Sequence, residues 1–147
     1  MVMIRPIEKG DEARWRVLWR GYLDFYESSV PDEVTAKTFE RILDPNAPVH
    51  GLGAVLNEEL IGITHYIFHP STWSVEGYCY LEDLFVDPAI RRSGVGRALI
   101  EAVRERANAA GATRLYWNTQ HFNETARALY DQVADLSPFV QYRVANP

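Results

Sequence analysis

Two glycines stand where an apolar run of the sequence ends and a helix-like run begins. They are Gly94 and Gly96. The N-terminus of a helix presents unpaired N–H groups and a partial positive charge, and glycine lets an anion come close to the backbone. Three nearby arginines add full positive charges: Arg91, Arg92 and Arg97. The pattern predicts a phosphate site, although a tight helix start packed on a sheet would use the same glycines.

Two familiar phosphate motifs do not fit this stretch. The dinucleotide motif needs a third glycine at a fixed spacing, and none follows Gly96 there. The nucleotide-triphosphate loop needs a Lys-Ser or Lys-Thr pair after its glycines, and Arg97-Ala98 stands there instead. A pyrophosphate held without a metal ion is therefore the ligand class that the stretch favours.

Two adjacent carboxylates interrupt the apolar run just before the glycines. Glu82 and Asp83 lie within residues 80–86, which otherwise read as a strand. Neighbouring residues of a regular strand point to opposite faces, so at least one of the two should face inward. A buried carboxylate is costly unless it is paired. The pair is a candidate for binding a cation or accepting a proton, and a solvated strand face is the alternative.

A third set of polar residues lies on a later helix-like segment. Asn123 begins this segment and Tyr130 follows seven residues later on the same side of the helix. Taken alone, Asn123 could be a helix cap and Tyr130 a core aromatic residue. His65 and His69 lack the spacing and acidic partner of a metal motif, and the single Cys79 lacks a nucleophile signature, so no metal site is predicted.

The elements that must position these residues alternate between strands and helices. The apolar spacing predicts strands at residues 3–7, 49–56, 60–68, 77–86, 114–119 and 139–144, and helices at 11–27, after Pro31, at 94–110 and at 123–133. Gly111 is well placed to end the third helix. The predicted fold is α/β in the broad sense: a mixed, mostly antiparallel twisted sheet flanked by helices, in one domain spanning residues 1–147.

Bulk properties narrow the class of protein. The net charge of −5 argues against nucleic-acid binding and suits a cationic partner. The sequence has no apolar run long enough to span a bilayer and no signal-peptide pattern at its start, so we expect no membrane association and a cytoplasmic location.

Two motifs resemble those of the GNAT family of N-acetyltransferases. Arg91-x-x-Gly94-x-Gly96 after a strand is similar to the family's acetyl-CoA pyrophosphate motif, and Asn123-x-x-Ala126-x-x-Leu129-Tyr130 is similar to its last conserved helix. A Gly-Phe pair that often follows this tyrosine is absent, which is similar to the branch that includes fungal histone acetyltransferases and related bacterial enzymes. The resemblance implies a GNAT-like fold whose sheet splays between strands ending at Val86 and Thr119 to admit the pantetheine arm.

The resemblance also implies roles for single residues. The residues that it assigns to the cofactor acetyl-CoA are Phe85, Val86, Arg91, Arg92, Ser93, Gly94, Val95, Gly96, Arg97 and Asn123. Tyr130 would be the general acid that protonates the leaving thiolate, and backbone N–H groups near Phe85 or Val86 would stabilise the oxyanion. The run Leu81-Glu82-Asp83 resembles polyamine acetyltransferases, which places both carboxylates by the amine, with Glu82 as the base.

The implied reaction is direct transfer of the acetyl group from acetyl-CoA to a primary amine, without an acyl-enzyme. A small amine or polyamine is the favoured acceptor. Two alternatives stay open: a protein-lysine or histone-tail acetyltransferase, and a non-catalytic module that binds acyl-CoA. A homodimer is one option for the assembly.

Overall fold

Five strands form one sheet in the order β1-β2-β3-β4-β5 within residues 1–90 and 93–147, the part of the chain that the computed structural model describes. Their bounds are β1 Met3–Pro6, β2 Val49–Leu56, β3 Glu59–Ser71, β4 Ser74–Val86 and β5 Leu115–Tyr116. The first four strands pair antiparallel, and β5 pairs parallel with β4. The predicted fold class, a mixed and mostly antiparallel sheet with flanking helices, is confirmed.

Helices cover both faces of this sheet. Their bounds are α1 Glu12–Phe25, α2 Asp32–Leu43, α3 Val95–Ala109 and α4 Glu124–Val133, and a short 3-10 helix, Lys9–Asp11, precedes α1. Trp15 of α1 and Phe39 of α2 belong to the buried cluster on one face. Leu99 and Val103 of α3 belong to the cluster on the other face. No helix in the described ranges combines the length and the apolar character that crossing a membrane requires.

Two strand predictions are wrong. The strand expected at residues 114–119 is reduced to Leu115–Tyr116, because the chain parts from β4 after the pair Tyr80–Tyr116. The strand expected at residues 139–144 does not form, because no other strand lies beside this segment and residues 134–147 are all exposed. An extended segment becomes a strand only when a partner supplies the other half of the hydrogen-bond ladder.

Gly111 ends α3 as expected. Its φ of 79° lies in the left-handed region. Its N–H donates to the carbonyl of Asn108 at 3.0 Å, and the N–H of Ala112 donates to that of Ala107 at 3.0 Å. These two bonds are the Schellman arrangement, in which glycine after the helix lets the last carbonyls find donors.

We expect Gly111→Ala to lower the free energy of unfolding by about 1 kcal/mol, because a Cβ is strained at this φ. The corresponding fall in the melting temperature, measured by calorimetry, would be about 3 °C. Gly10→Ala is the matched control, since a Cβ at Gly10 meets no atom within 4 Å and its φ is not positive. Equal losses in both variants would contradict this explanation of Gly111.

Candidate active site

A cleft opens where β4 and β5 part. The two strands pair only at Cys79–Leu115 and Tyr80–Tyr116, whereas β4 continues to Val86. The splay is therefore present and begins earlier along both strands than predicted. The cleft has a volume of about 790 Å³ and lies between the end of β4, the start of α3 and one side of α4. Of the predicted site residues, it is lined by Phe85, Val86, Ser93, Gly94, Val95, Gly96, Arg97, Asn123 and Tyr130.

The N-terminus of α3 faces this cleft without a side-chain cap. Gly94 is the capping residue, with a left-handed φ of 84°. A Cβ placed on Gly94 would meet no atom within 4 Å, and a Cβ on Gly96 would meet only Leu129, at 3.6 Å. Protein packing therefore does not require glycine at position 96, and the space before the helix is open to a ligand. Helix geometry and bare backbone together fit a pyrophosphate.

The arginines predicted for this anion site have different outcomes. Arg97 lines the cleft and its guanidinium donates a hydrogen bond to the side-chain oxygen of Gln132 on α4. Arg91 and Arg92 lie outside the described residues. Their assignment to the cofactor stays a prediction.

We expect Gly96→Val to weaken binding of coenzyme A at least tenfold, about 1.4 kcal/mol, because the added side chain would fill part of the cleft that Gly96 lines. Titration calorimetry with coenzyme A measures this change directly. Gly10→Val, at a glycine that also faces open space but lies outside the cleft, should leave affinity unchanged. An unchanged dissociation constant in the folded Gly96→Val protein would remove this glycine from the binding site.

Tyr130 and Asn123 reach the cleft from α4. The ring of Tyr130 packs edge-on against Trp117, with the ring centroids 5.5 Å apart. Burial, with a smaller contribution from Tyr26, raises the pKa of Tyr130 to about 12. The phenol therefore stays protonated at neutral pH and can donate its proton. Asn123 caps α4, its side-chain oxygen accepting from the N–H of Ala126 at 3.3 Å, and it lines the cleft as well.

The acidic pair sits at a β-bulge that the sequence pattern did not predict. His65 of β3 is opposite Asp83, whereas the next residue of β3, Tyr66, is opposite Leu81, so Glu82 is the additional residue. A bulge of this kind bends the strand and redirects side chains. Cys79 and Leu81 accordingly pack in the cluster under α3, whereas Phe85 packs in the cluster under α1. The bulge thus changes the face to which alternate residues of β4 point.

The two carboxylates differ in their surroundings. Glu82 is exposed, whereas only 14% of the Asp83 side chain is exposed. Partial desolvation, together with the neighbouring charge of Asp83, raises the pKa of Glu82, and His65 opposes this shift. A carboxylate with a raised pKa is a stronger base. Glu82 is thus the member of the pair that is both accessible and better suited to accept a proton.

His65 connects Asp83 to the aromatic core under α1. The indole N–H of Trp15 can only donate, so Nε2 of His65, 3.0 Å away, is the acceptor. The imidazole proton is then on Nδ1, which donates to Oδ2 of Asp83 at 2.9 Å. His65 is 2% exposed. His65 thus orients Asp83. In the described part of the chain, no three His, Cys, Asp or Glu side chains are grouped closely enough to hold a metal ion.

The C-terminal end of α1 adds aromatic residues that the sequence analysis did not assign to the site. Phe25 and Tyr26 line the cleft. The rings of Tyr22 and Tyr26 lie 5.0 Å apart. Burial, with Asp83 as the next cause, raises the pKa of Tyr22. The sequence does carry a signal for this placement. Tyr22 and Tyr26 continue the helical spacing of the buried residues Trp15, Leu18 and Trp19 to the end of α1, where the helix reaches the cleft.

Comparison with known proteins identifies the class. The sequence profile of the acetyltransferase (GNAT) family matches residues 15–134. A D-amino-acid N-acetyltransferase of Saccharomyces cerevisiae is 39% identical over 144 residues, which cover 97% of this chain and 89% of that protein. The chain therefore belongs to the GNAT family of acetyltransferases.

Further relatives agree with this class. A thialysine N-epsilon-acetyltransferase of Caenorhabditis elegans is 40% identical over 88 residues, 60% of this chain and 54% of that protein. The solved structure of an aminoglycoside N-acetyltransferase in complex with coenzyme A has a TM-score of 0.82 at 21% identity, covering 99% of this chain and 95% of that one. The protein described here is an enzyme, an acetyl-CoA-dependent N-acetyltransferase that acts on amines. This finding excludes the non-catalytic module.

Proposed function

We propose that the acceptor is the primary amine of a small molecule, a polyamine or another small aliphatic amine. The observation that carries this proposal is the acidic pair at the bulge of β4, where Glu82 is exposed beside the fixed charge of Asp83. Neither carboxylate lines the cleft, but both directly precede Leu84 and Phe85, which do. Two carboxylates next to the cleft attract a cationic amine. The D-amino-acid and thialysine acetyltransferases among the relatives support a small amine over a protein.

Glu82 prepares the amine for attack. An alkylammonium ion has a pKa near 10, so its deprotonation at neutral pH costs on the order of 4 kcal/mol. Glu82 accepts this proton directly or through a water molecule, and its raised pKa favours the transfer. Asp83, held by His65, lies beside Glu82 and contributes, after desolvation, to the raised pKa of Glu82.

Tyr130 completes the transfer. Acetyl-CoA supplies an activated acetyl group as a thioester, and the N-terminus of α3 with Gly94 and Gly96 holds its pyrophosphate. As the amine nitrogen bonds to the carbonyl carbon and the carbon–sulfur bond breaks, Tyr130 donates its hydroxyl proton to the departing sulfur. The second proton that the nitrogen loses on becoming an amide restores the hydroxyl of Tyr130. Direct transfer needs no enzyme nucleophile. Burial raises the pKa of Cys79 to about 11, so this thiol stays protonated and unsuited to acyl transfer.

An acetyl-CoA turnover assay that measures released thiol tests the acceptor. The panel comprises polyamines, diamines, amino acids, aminoglycosides and lysine peptides at equal concentration. We expect kcat/KM for at least one small aliphatic amine or polyamine to exceed that for any lysine peptide. Turnover of a lysine peptide with no turnover of the small amines would establish the protein-acetyltransferase alternative instead.

A further inference from the structure

Two tyrosine rings stack at the point where β4 and β5 part. Tyr80 of β4 pairs with Tyr116 of β5, and after this pair the two strands separate. The ring centroids of this tyrosine pair lie 4.9 Å apart, with an angle of 27° between the ring planes. Both side chains are partly exposed, and in the described part of the chain neither ring belongs to the core cluster under α1 or to the cluster under α3. The packing of the core therefore does not account for the tyrosine pair.

The tyrosine pair lies on the same face of the sheet as Asp83. His65 and Ile67 are alternate residues of β3, so their side chains share one face. Asp83 is opposite His65 and bonded to it, and Tyr80 is opposite Ile67. Glu82 is exposed beside Asp83 and follows Tyr80 by two residues, which span about 7 Å along a strand. A short substituent of an amine held at Glu82 therefore reaches the tyrosine pair.

Hydrogen bonds hold both rings in place. The carbonyl of Pro70 can only accept, so Nδ1 of His69, 2.8 Å away, donates to it. With the proton on Nδ1, Nε2 of His69 accepts from the hydroxyl of Tyr116 at 2.7 Å. The side-chain amide of Asn118 donates to the hydroxyl of Tyr80 at 3.3 Å. The polar ends of both rings are thus engaged, and the rings offer a ligand carbon surface in a fixed orientation, which suits another aromatic ring.

A second ammonium group is the other kind of substituent that tyrosine rings can bind. The guanidinium of Arg114 lies 4.3 Å from the centroid of the Tyr78 ring, and that ring meets Tyr116 edge-on. This cation would repel an ammonium group placed on the neighbouring tyrosine pair. An uncharged aromatic group meets no such repulsion and is stabilised by ring contacts and by burial of apolar area. The surroundings therefore favour an aromatic group over a second amine.

We propose that the tyrosine pair is a subsite for an aromatic group of the acceptor, which makes an arylalkylamine the preferred class of substrate. The amine nitrogen is held at Glu82, and the aromatic ring of the acceptor packs on Tyr80 and Tyr116. The two tyrosines position the acceptor and take no part in proton transfer. This inference rests on the small-amine acceptor proposed above and narrows it.

A comparison of three amines on the unaltered protein, in the thiol-release assay, tests the subsite. The amines are phenethylamine, propylamine and putrescine. We expect kcat/KM for phenethylamine to exceed that for each of the other two at least tenfold, about 1.4 kcal/mol, because only phenethylamine carries a ring. A higher value for putrescine, or equal values for all three, would overturn the subsite and leave the small-amine acceptor in place. Turnover of a lysine peptide with none of the three amines would reject both.

Replacement of one ring shows whether the preference arises at the tyrosine pair. Tyr116→Ala should reduce the ratio of kcat/KM for phenethylamine to that for propylamine at least tenfold, and this ratio does not depend on how much of the protein is folded. Tyr116→Phe keeps the ring and should retain the parental ratio. Trp73→Ala is the matched control, since Trp73 is an aromatic residue 86% exposed at the turn between β3 and β4. A parental ratio in Tyr116→Ala, or an equal fall in Trp73→Ala, would overturn the proposal.

Discussion

Replacing Tyr130 with phenylalanine is expected to lower kcat about 100-fold, the low end of what a positioned proton donor contributes. Affinity for acetyl-CoA should be unchanged, because the ring and its packing on Trp117 remain. The fall in kcat is expected because the variant has no hydroxyl proton to donate. In the parent, the pKa of about 12 keeps the Tyr130 hydroxyl protonated throughout the pH range of the assay. Initial rates of thiol release with saturating acetyl-CoA, together with calorimetric binding, measure the two effects separately.

Tyr78→Phe is the control for this variant, because Tyr78 is a partly buried tyrosine of β4 outside the cleft. It should retain the parental rate. If Tyr130→Phe also has the parental rate, the role of Tyr130 is limited to packing against Trp117. Another group or solvent would then protonate the sulfur.

Replacing Glu82 with glutamine is expected to lower kcat/KM at neutral pH by at least tenfold, and the deficit should shrink as the pH approaches the pKa of the amine. The direction of this pH dependence follows from the pKa of Glu82 and the pKa of the amine. Desolvation and Asp83 raise the pKa of Glu82, so the carboxylate becomes an effective base above that pKa while the amine is still protonated. Near pH 10 the amine is largely free base and needs no help. A pH profile of both proteins with one small amine measures the effect.

Glu76→Gln, an exposed glutamate at the far end of the same strand, should follow the parental profile at every pH. Asp83→Asn should act mainly on KM for the amine and should lower the pKa that governs Glu82. A constant deficit across the pH range in Glu82→Gln would show that the carboxylate binds the amine without serving as its base.

The sequence predicted the helix ends that border the cleft well and the contacts between strands poorly. The glycines before α3 and the cap of α4 are local signals, because helix ends are specified within a few neighbouring residues. The bulge at Glu82 arises from pairing between β3 and β4, and the pattern of β4 alone does not show which residue is additional. The bond from His65 to Asp83 depends on the same pairing, so the sequence alone does not indicate it.

The last predicted strand was wrong for a related reason. Residues 139–144 have the alternation of a strand, but alternation does not state which edge a strand will join. In residues 1–90 and 93–147, no edge of the sheet pairs with this segment. The sequence thus shows the propensity of residues 139–144 to form a strand, whereas the strand that would pair with them is determined by the fold.

The bulge in β4 also divides the β3–β4 hairpin into two parts whose registers are set separately. Between the bulge and Val86, the pairing of His65 with Asp83 sets the register of the two strands beside the carboxylates. Between the bulge and the turn of the hairpin, the pairing passes through a second register change and ends at an exposed tip with Trp73 and Val75. A further insertion or deletion at this tip would alter the outer ladder and leave the inner register in place. The hairpin can therefore change its length and its exposed surface while Glu82 and Asp83 keep their positions.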